Sequence, residues 1–293
     1  MTAPRNGPRT RALVLGGGGA VGVGWQTGLL TGLGEAGVEL AGAESIVGTS
    51  AGALVGAFLA GGRPVTDALS SLAALGQSID PDTLVTGDEA FLHTMSQARL
   101  ETDPQQALRA IGRAAIAGST LAEDVYLGLF GSLDGIAWPA AFRCTAIDTD
   151  TGEVVVWDER SGVSLLQAVA ASCAVPVLFP CVTIKGHRYM DGGILSHLNA
   201  TAAAPTDVLV VLSCHPLGSR GARGGGSLAA SVAPDAELAP LRQTRRLIAV
   251  EPDFSDIEAP TNMMDPNLVI QAFQIGKRQG AGEAVAIAAA CDC

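Results

Sequence analysis

A serine set among glycines is the first feature of this chain that could do chemistry. Gly48-Thr49-Ser50-Ala51-Gly52 has the pattern G-x-S-x-G, whose small neighbours let a serine sit on a sharp strand-to-helix turn with its hydroxyl facing outward. The free amides and positive dipole end of the helix that follows favour negative charge developing there. A second run, Gly16-Gly17-Gly18-Gly19, offers backbone N–H groups that no Cβ obstructs and that can converge on one anion. Two readings of this run compete. Gly17-x-Gly19-x-x-Gly22 fits the dinucleotide fingerprint G-x-G-x-x-G, but that fingerprint wants an acidic residue ending the next strand to hold a ribose. Here that strand runs into Gly48 and Ser50 instead. An oxyanion hole accounts for both runs, because neighbouring parallel strands would bring Gly18 and Gly19 beside Ser50.

A serine nucleophile needs a base. The four histidines are His93, His187, His197 and His215. His215, just past an expected strand, has the best context of the four, yet Pro216 and a glycine-rich stretch follow it. A Ser-His-Asp hydrolase is disfavoured for a second reason: its elbow follows a strand deep in the sheet, whereas Ser50 follows the second strand of this chain. Asp191-Gly192-Gly193 is the alternative, an acid ending a strand with backbone close around it. Taken alone, it also reads as an ordinary Asp-Gly turn.

The elements that must position these groups are legible as alternating patterns. Residues 11–15 form a short apolar strand ending at the glycine run, and a helical pattern follows to Glu35. Residues 45–47 repeat the unit, with an apolar helix over 53–60. Residues 65–129 lack β-branched runs and read as a helical insertion beside the sheet, broken at Pro81 and Pro104. Strands are expected at 142–147, 153–157, 182–184, 188–190, 208–212 and 247–250, a helix at 164–171 entered through Ser164, and a long helix over about 267–290. Short strands alternating with helices predict one three-layer α/β domain over residues 11–293 behind a flexible tail of residues 1–10.

Composition narrows the partners. The 293 residues carry 18 Lys plus Arg against 29 Asp plus Glu, a formal net charge of -11, so polyphosphates are repelled and a nucleic acid partner is disfavoured. Six cysteines without a C-x-x-C pair predict reduced thiols. Neither a signal peptide nor a tract of the roughly 20 apolar residues that span a bilayer is present, which predicts a cytoplasmic protein, with signal-less secretion still open. The stretch from His215 to Val250 is locally basic, with Arg220, Arg223, Arg242, Arg245 and Arg246 against Asp235 and Glu237. It could meet phospholipid head groups or, with the helical insertion, cover a groove.

In three ordered blocks, residues 15–30, 46–60 and 170–199, the chain resembles the patatin-like phospholipases, relatives of the catalytic domain of cytosolic phospholipase A2. The third block carries the most specific likeness: Ala171-Ser172-Cys173-Ala174-Val175-Pro176 through Phe179-Pro180 to Tyr189-Met190-Asp191-Gly192-Gly193. The resemblance implies an α/β/α patatin-like fold with a mostly parallel central sheet. It also implies a Ser50-Asp191 dyad in place of a triad, with oxyanion donors among Gly17, Gly18 and Gly19 and with Gly22, Gly48, Gly52, Gly192 and Gly193 supporting the turns. One departure stands out, Val21 where the family commonly has Arg or Lys. The implied reaction is acyl transfer from a lipid ester to Ser50 and then to water, without metal or cofactor, and with transient contact at a membrane surface. An acyltransferase using the same dyad, or a nucleotide-binding module, remains the alternative.

Overall fold

In the computed structural model, residues 9–78, 81–118, 120–217, 232–254 and 262–292 are described. An eight-stranded sheet forms the middle layer. Its strands are β1 (Arg11–Leu15), β2 (Ser45–Gly48), β3 (Phe142–Asp148), β4 (Val154–Trp157), β5 (Val182–Ile184), β6 (His187–Asp191), β7 (Val208–Leu212) and β8 (Arg246–Val250). The helices are α1 (Gly19–Glu35), α2 (Ala51–Ala60), α3 (Asp67–Ser78), α4 (Pro81–Ala98), α5 (Pro104–Ala117), α6 (Glu123–Gly128), α7 (Leu165–Ser172), α8 (Pro234–Thr244) and α9 (Val269–Cys291). The main path runs β5-β6-β3-β2-β1-β7-β8, with β4 added on β3.

The pairings β8-β7-β1-β2-β3 are parallel, whereas β4, β5 and β6 join antiparallel. This antiparallel corner decides where the chemistry sits. Cys144 pairs with Gly48 on one edge and with Trp157 on the other, while Ala146 pairs with Val155 and with Asp191. β6 therefore takes the edge of β3 that β2 vacates. Asp191 arrives from the opposite direction, two residues along β3 from the point where Gly48 leaves the sheet.

Alternation along the strands sorts the core into layers, since successive side chains face opposite ways. On β1, Leu13 and Leu15 join the cluster beneath α1, α2, α7 and α9, and Ala12 and Val14 join one on the other face with Leu238 of α8. At the corner, Ile147 and Met190 pack with Met95 of α4 and with Leu108 and Ile111 of α5. The helical insertion is thus split: α3 and α6 lie with α1 and α7, and α4 with α5. Arg9 and Thr10, expected in the flexible tail, are anchored, Thr10 by its N–H and hydroxyl to Asp207 at 2.9 and 2.8 Å and Arg9 to Asp292 at 3.2 Å. Residues 1–8 lie outside the described residues, as do Arg220 and Arg223.

Within the basic stretch from His215 to Val250, for which the sequence pattern predicts no helix, the structure has α8. Its Pro234 starts the helix at a position where a missing N–H costs nothing. Two arginines of this stretch are turned onto the protein instead of outward: Arg245 donates to the Ala204 carbonyl at 3.1 Å and Arg246 to that of Ala289 at 3.5 Å. Cys144, Cys173, Cys181 and Cys214 are free thiols. Among the described residues, no helix is long and apolar enough to cross a membrane.

Candidate active site

Ser50 caps α2 from a backbone held at φ 53° and ψ -118°, a left-handed strain for a side-chain-bearing residue. The turn is possible only because its flanks are bare. A Cβ on Gly48 would stand 2.4 Å from the Gly52 carbonyl oxygen, and one on Gly52 would stand 2.0 Å from that of Leu15. Two neighbours at the end of α7 fix the elbow: Ser50 donates its N–H to Ser172 Oγ at 2.9 Å, and Cys173 Sγ donates to the Ser50 carbonyl at 3.3 Å. The next residue holds the other half of the site, because Asp191 N–H donates to the Ala174 carbonyl at 2.9 Å. Three successive residues, 172 to 174, thus connect the serine to the acid.

Asp191 ends β6 and is 4% exposed. Burial pushes its pKa up to about 7, against the opposing pull of the Ser50 side-chain hydrogen bond and the Gly193 amide. That amide donates to Asp191 Oδ1 at 2.7 Å. Gly192 must be bare here, since its Cβ would meet Thr145 Oγ1 at 2.6 Å.

The glycine run separates into two roles. Gly17, expected among the oxyanion donors, gives its N–H to the His197 carbonyl at 2.8 Å, which removes it from that set; its missing side chain leaves room for Ser50 Cβ, 3.3 Å from the position of a Gly17 Cβ. Gly18 caps α1 and Gly19 begins it, and neither amide has a partner among the described residues, as helix geometry requires of a first turn. Gly19 needs its positive φ of 57°, and a Cβ there would meet the Met263 carbonyl oxygen at 2.6 Å. Ala51 likewise has an unpartnered amide at the start of α2, immediately after Ser50, a position the sequence reading did not single out. Gly22 makes room for Cys214 Sγ, 2.9 Å from its would-be Cβ. Val21 is fully buried in the main core cluster, so the position where the family commonly has a cation is apolar here.

Asn199 ties the site together and was not among the expected residues. Its side-chain amide donates to Ser196 O at 2.8 Å and reaches Thr49 Oγ1 at 3.1 Å, Thr145 Oγ1 at 3.2 Å and Gly192 O at 3.3 Å. One buried side chain therefore touches the residue before Ser50 and the residue after Asp191. Glu237 of α8 braces the same segment, accepting from the Ser196 hydroxyl and the Ala200 amide.

Ser50, Asp191 and Gly17 to Gly19 line a common cavity of about 320 Å³, with His197 and His215 on its wall. A second, narrow and strongly apolar cavity meets it at Ser50, lined by Val23, Leu54, Tyr126, Phe130 and Phe179 among others. Of the remaining histidines, His187 pairs with Asp148 at 3.2 Å at the far end of β3, where Asp150 also converges, and His93 is exposed; neither lines the two cavities. Asp148 is already engaged there by the amides of Asp150 and Thr151.

A family model described as patatin-like phospholipase matches residues 13–204. The chain belongs to the patatin-like phospholipase family. Uncharacterised NTE family proteins of Mycobacterium bovis and Mycobacterium tuberculosis are each 31% identical to this patatin-like chain over 210 residues, which is 71% of the chain. The chain spans about a third, 31%, of the length of these curated relatives. Among solved structures, VipD from Legionella pneumophila has a TM-score of 0.40 at 16% identity, over 94% of this chain and 67% of that one. The type III effector ExoU gives 0.40 at 16%, over 95% and 53%. ExoU from Pseudomonas aeruginosa in complex with SpcU gives 0.37 at 17%, over 94% and 53%.

Proposed function

We propose that this patatin-like chain hydrolyses lipid carboxylic esters through an acyl-enzyme on Ser50, with Asp191 as the general base. One observation carries the reading: Ser50 and the buried Asp191 carboxyl line one cavity, near enough for the Ser50 side chain to oppose the rise in the Asp191 pKa, and Gly18 and Gly19, whose amides have no partner among the described residues, line it too. Asp191 takes the Ser50 proton as Oγ attacks the ester carbonyl. The developing oxyanion is held by the Gly18 and Gly19 amides, with Ala51 N–H available from the second helix end. Asp191 then passes its proton to the leaving alcohol. In the second half it draws a proton from water, which frees the acid.

The environment supports the assignment of Asp191 as base. An ordinary aspartate near 3.9 is a poor base at neutral pH, whereas a carboxyl raised to about 7 is matched to its task. The apolar cavity beside Ser50 would take the acyl chain. Exposed Leu92 stands at the rim of the larger cavity, where lipid could enter from a membrane surface.

The test is labelling by a fluorophosphonate together with turnover of p-nitrophenyl esters. Wild type should be labelled and active, Ser50→Ala neither, and Asp191→Asn should lose at least roughly 10⁴-fold in kcat while keeping its fold. An Asp191→Asn variant with near-full rate would refute the dyad.

A further inference from the structure

The larger cavity contains two groups that the dyad does not use. His197 lies in the segment after Asp191, and His215 just beyond β7. Their rings stack with centroids 4.1 Å apart and planes 32° from parallel. Each keeps a partly exposed edge on the cavity. Among the described residues, no group hydrogen-bonds to the His197 ring; its Nε2 is buried without a partner, which leaves Nδ1 as the nitrogen open to a ligand.

The imidazoles are neutral at pH 7. Burial pushes His215 down to about 4 and, with the field of His215, holds His197 well below its ordinary range. A neutral imidazole carries one N–H donor and one nitrogen acceptor, the same pair of functions that an alcohol hydroxyl presents. Most of the remaining wall is apolar, Phe91, Leu92, Leu178, Ile194 and Met263. The only charge-bearing side chain among the described lining residues is Asp191, and no lysine or arginine is among them. A phosphate in this cavity would face a carboxylate without a counter-cation, whereas an uncharged hydroxyl would be matched.

With the apolar cavity on one side of Ser50 taking the acyl chain, the imidazole side faces the alcohol half of the ester. We propose that His197, backed by the stacked ring of His215, hydrogen-bonds a free hydroxyl on an uncharged polyol leaving group, so that the substrate class is a partial acylglyceride. This rests on the Ser50-Asp191 reading. His197 is a binding residue here; Asp191 keeps the proton transfers.

The experiment compares kcat/KM for three esters of one fatty acid: a 1-monoacylglycerol, the ethyl ester and lysophosphatidylcholine. Wild type should prefer the monoacylglycerol over both others. His197→Phe, which keeps a ring and removes both nitrogens, should lower the monoacylglycerol-to-ethyl-ester ratio by about tenfold, the size of one hydrogen bond to a neutral partner. His197→Gln, which keeps a donor and an acceptor, should recover part of that ratio. An unchanged ratio in His197→Phe, or a wild-type preference for lysophosphatidylcholine, would overturn the proposal. Should His197→Phe fail to fold, the imidazole nitrogen resonances of wild type decide: a 1-O-alkylglycerol should shift those of His197 and the matching alkyl ethyl ether should not, and equal shifts overturn it. Labelling of Ser50 by a fluorophosphonate separates the two failures. A labelled Ser50 with an unchanged ratio sinks the hydroxyl contact alone, and an unlabelled one sinks the function beneath it.

Discussion

Two sets of glycines on or beside α1 must be bare for unlike reasons. Along the helix, Gly24, Gly28 and Gly32 face α9 so closely that a Cβ would stand 2.5, 2.0 and 2.1 Å from the carbonyl oxygens of Val269, Phe273 and Lys277. Gly276 and Gly280 return the contact, at 2.1 and 2.2 Å from those of Trp25 and Leu29. Here backbone meets backbone, and the gain is dispersion and buried area. At the start of the same helix, Gly18 faces a side chain, Cys214, and what its bareness protects is the direction of two amides. The seam glycines hold the helix in place, and the loop glycines aim it. Substitutions at the two ends should therefore separate stability from rate.

Among the glycine substitutions, the largest effect is expected at Gly18. A Cβ there would lie 2.3 Å from Cys214 Cβ and 2.8 Å from its Sγ, so Gly18→Ala must displace the loop that carries the open amides. Loss of one oxyanion donor costs about 10²–10³ in kcat. We expect a fall of that size on p-nitrophenyl esters with KM little changed, and partial recovery in Gly18→Ala/Cys214→Gly, where the obstructing side chain is gone. Equal kcat in Gly18→Ala and wild type would remove the loop from the mechanism.

Gly28→Ala is the counterpart at the seam. Forced overpacking typically costs about 1–3 kcal/mol, occasionally more, and each kcal/mol lowers Tm by about 2–4 °C in a protein somewhat smaller than this one. Calorimetry should show the drop, while turnover per fluorophosphonate-titrated site at 20 °C stays near wild type. A fall in that turnover would break the comparison, because it would mean that the seam also aims Gly18 and Gly19 through the helix axis.

How far these roles could be read beforehand differs along the chain. β1, β2, β7 and the glycine turns after β1 and β2 were legible, because short apolar runs, two of them stopped by glycine, leave little choice of structure. The lane that β6 takes behind β2 was not, since register is set by pairing across 141 positions from Ser50 to Asp191. The open amides looked alike in sequence; only the His197 carbonyl distinguishes Gly17 from Gly18. α8 was hidden by polarity and by Pro240 within it, and its one buried acid, Glu237, resembles a surface charge until Ser196 and Ala200 are seen to bond it. Nothing local marked Asn199 or the pairing of His197 with His215, because Thr49 and Thr145 for the first and the partner ring for the second lie far away in sequence.

Asp191 connects the two ends of the comparison through pH. Its folded pKa of about 7 lies above the ordinary value of 3.8, so the fold favours the protonated form. Its contribution to stability is fully present below about 3.8 and is lost as pH rises towards 7. Asp191→Asn, which never ionises, should melt higher than wild type at pH 8, by about 2–4 °C for each kcal/mol regained, with the advantage fading towards pH 4. His197 and His215 act in the opposite sense. Their lowered values give stability that is present above 6.5 and lost as pH falls, for His215 towards 4, and removing them should protect the fold only on the acid side.

The smallest effect is a displacement of the rate profile. With Asp191 as the base, kcat/KM should rise with pH through a single limb near 7, the value its burial produces. Asn199→Asp tests whether the clamp shapes that value. The new carboxylate cannot donate to the Gly192 and Ser196 carbonyls as the amide does, and it adds a like charge on the segment that holds Asp191, which disfavours ionisation. The limb should therefore move upward, by up to about one pH unit, whereas a purely structural loss would lower kcat at every pH and leave the limb in place. The seam variant Gly28→Ala should leave the limb unmoved, because none of the described residues of α9 lines the cavity that holds the acid. A limb that stays at 7 in Asn199→Asp would mean that the field at Asp191 is set by burial alone and that Asn199 only ties the turns.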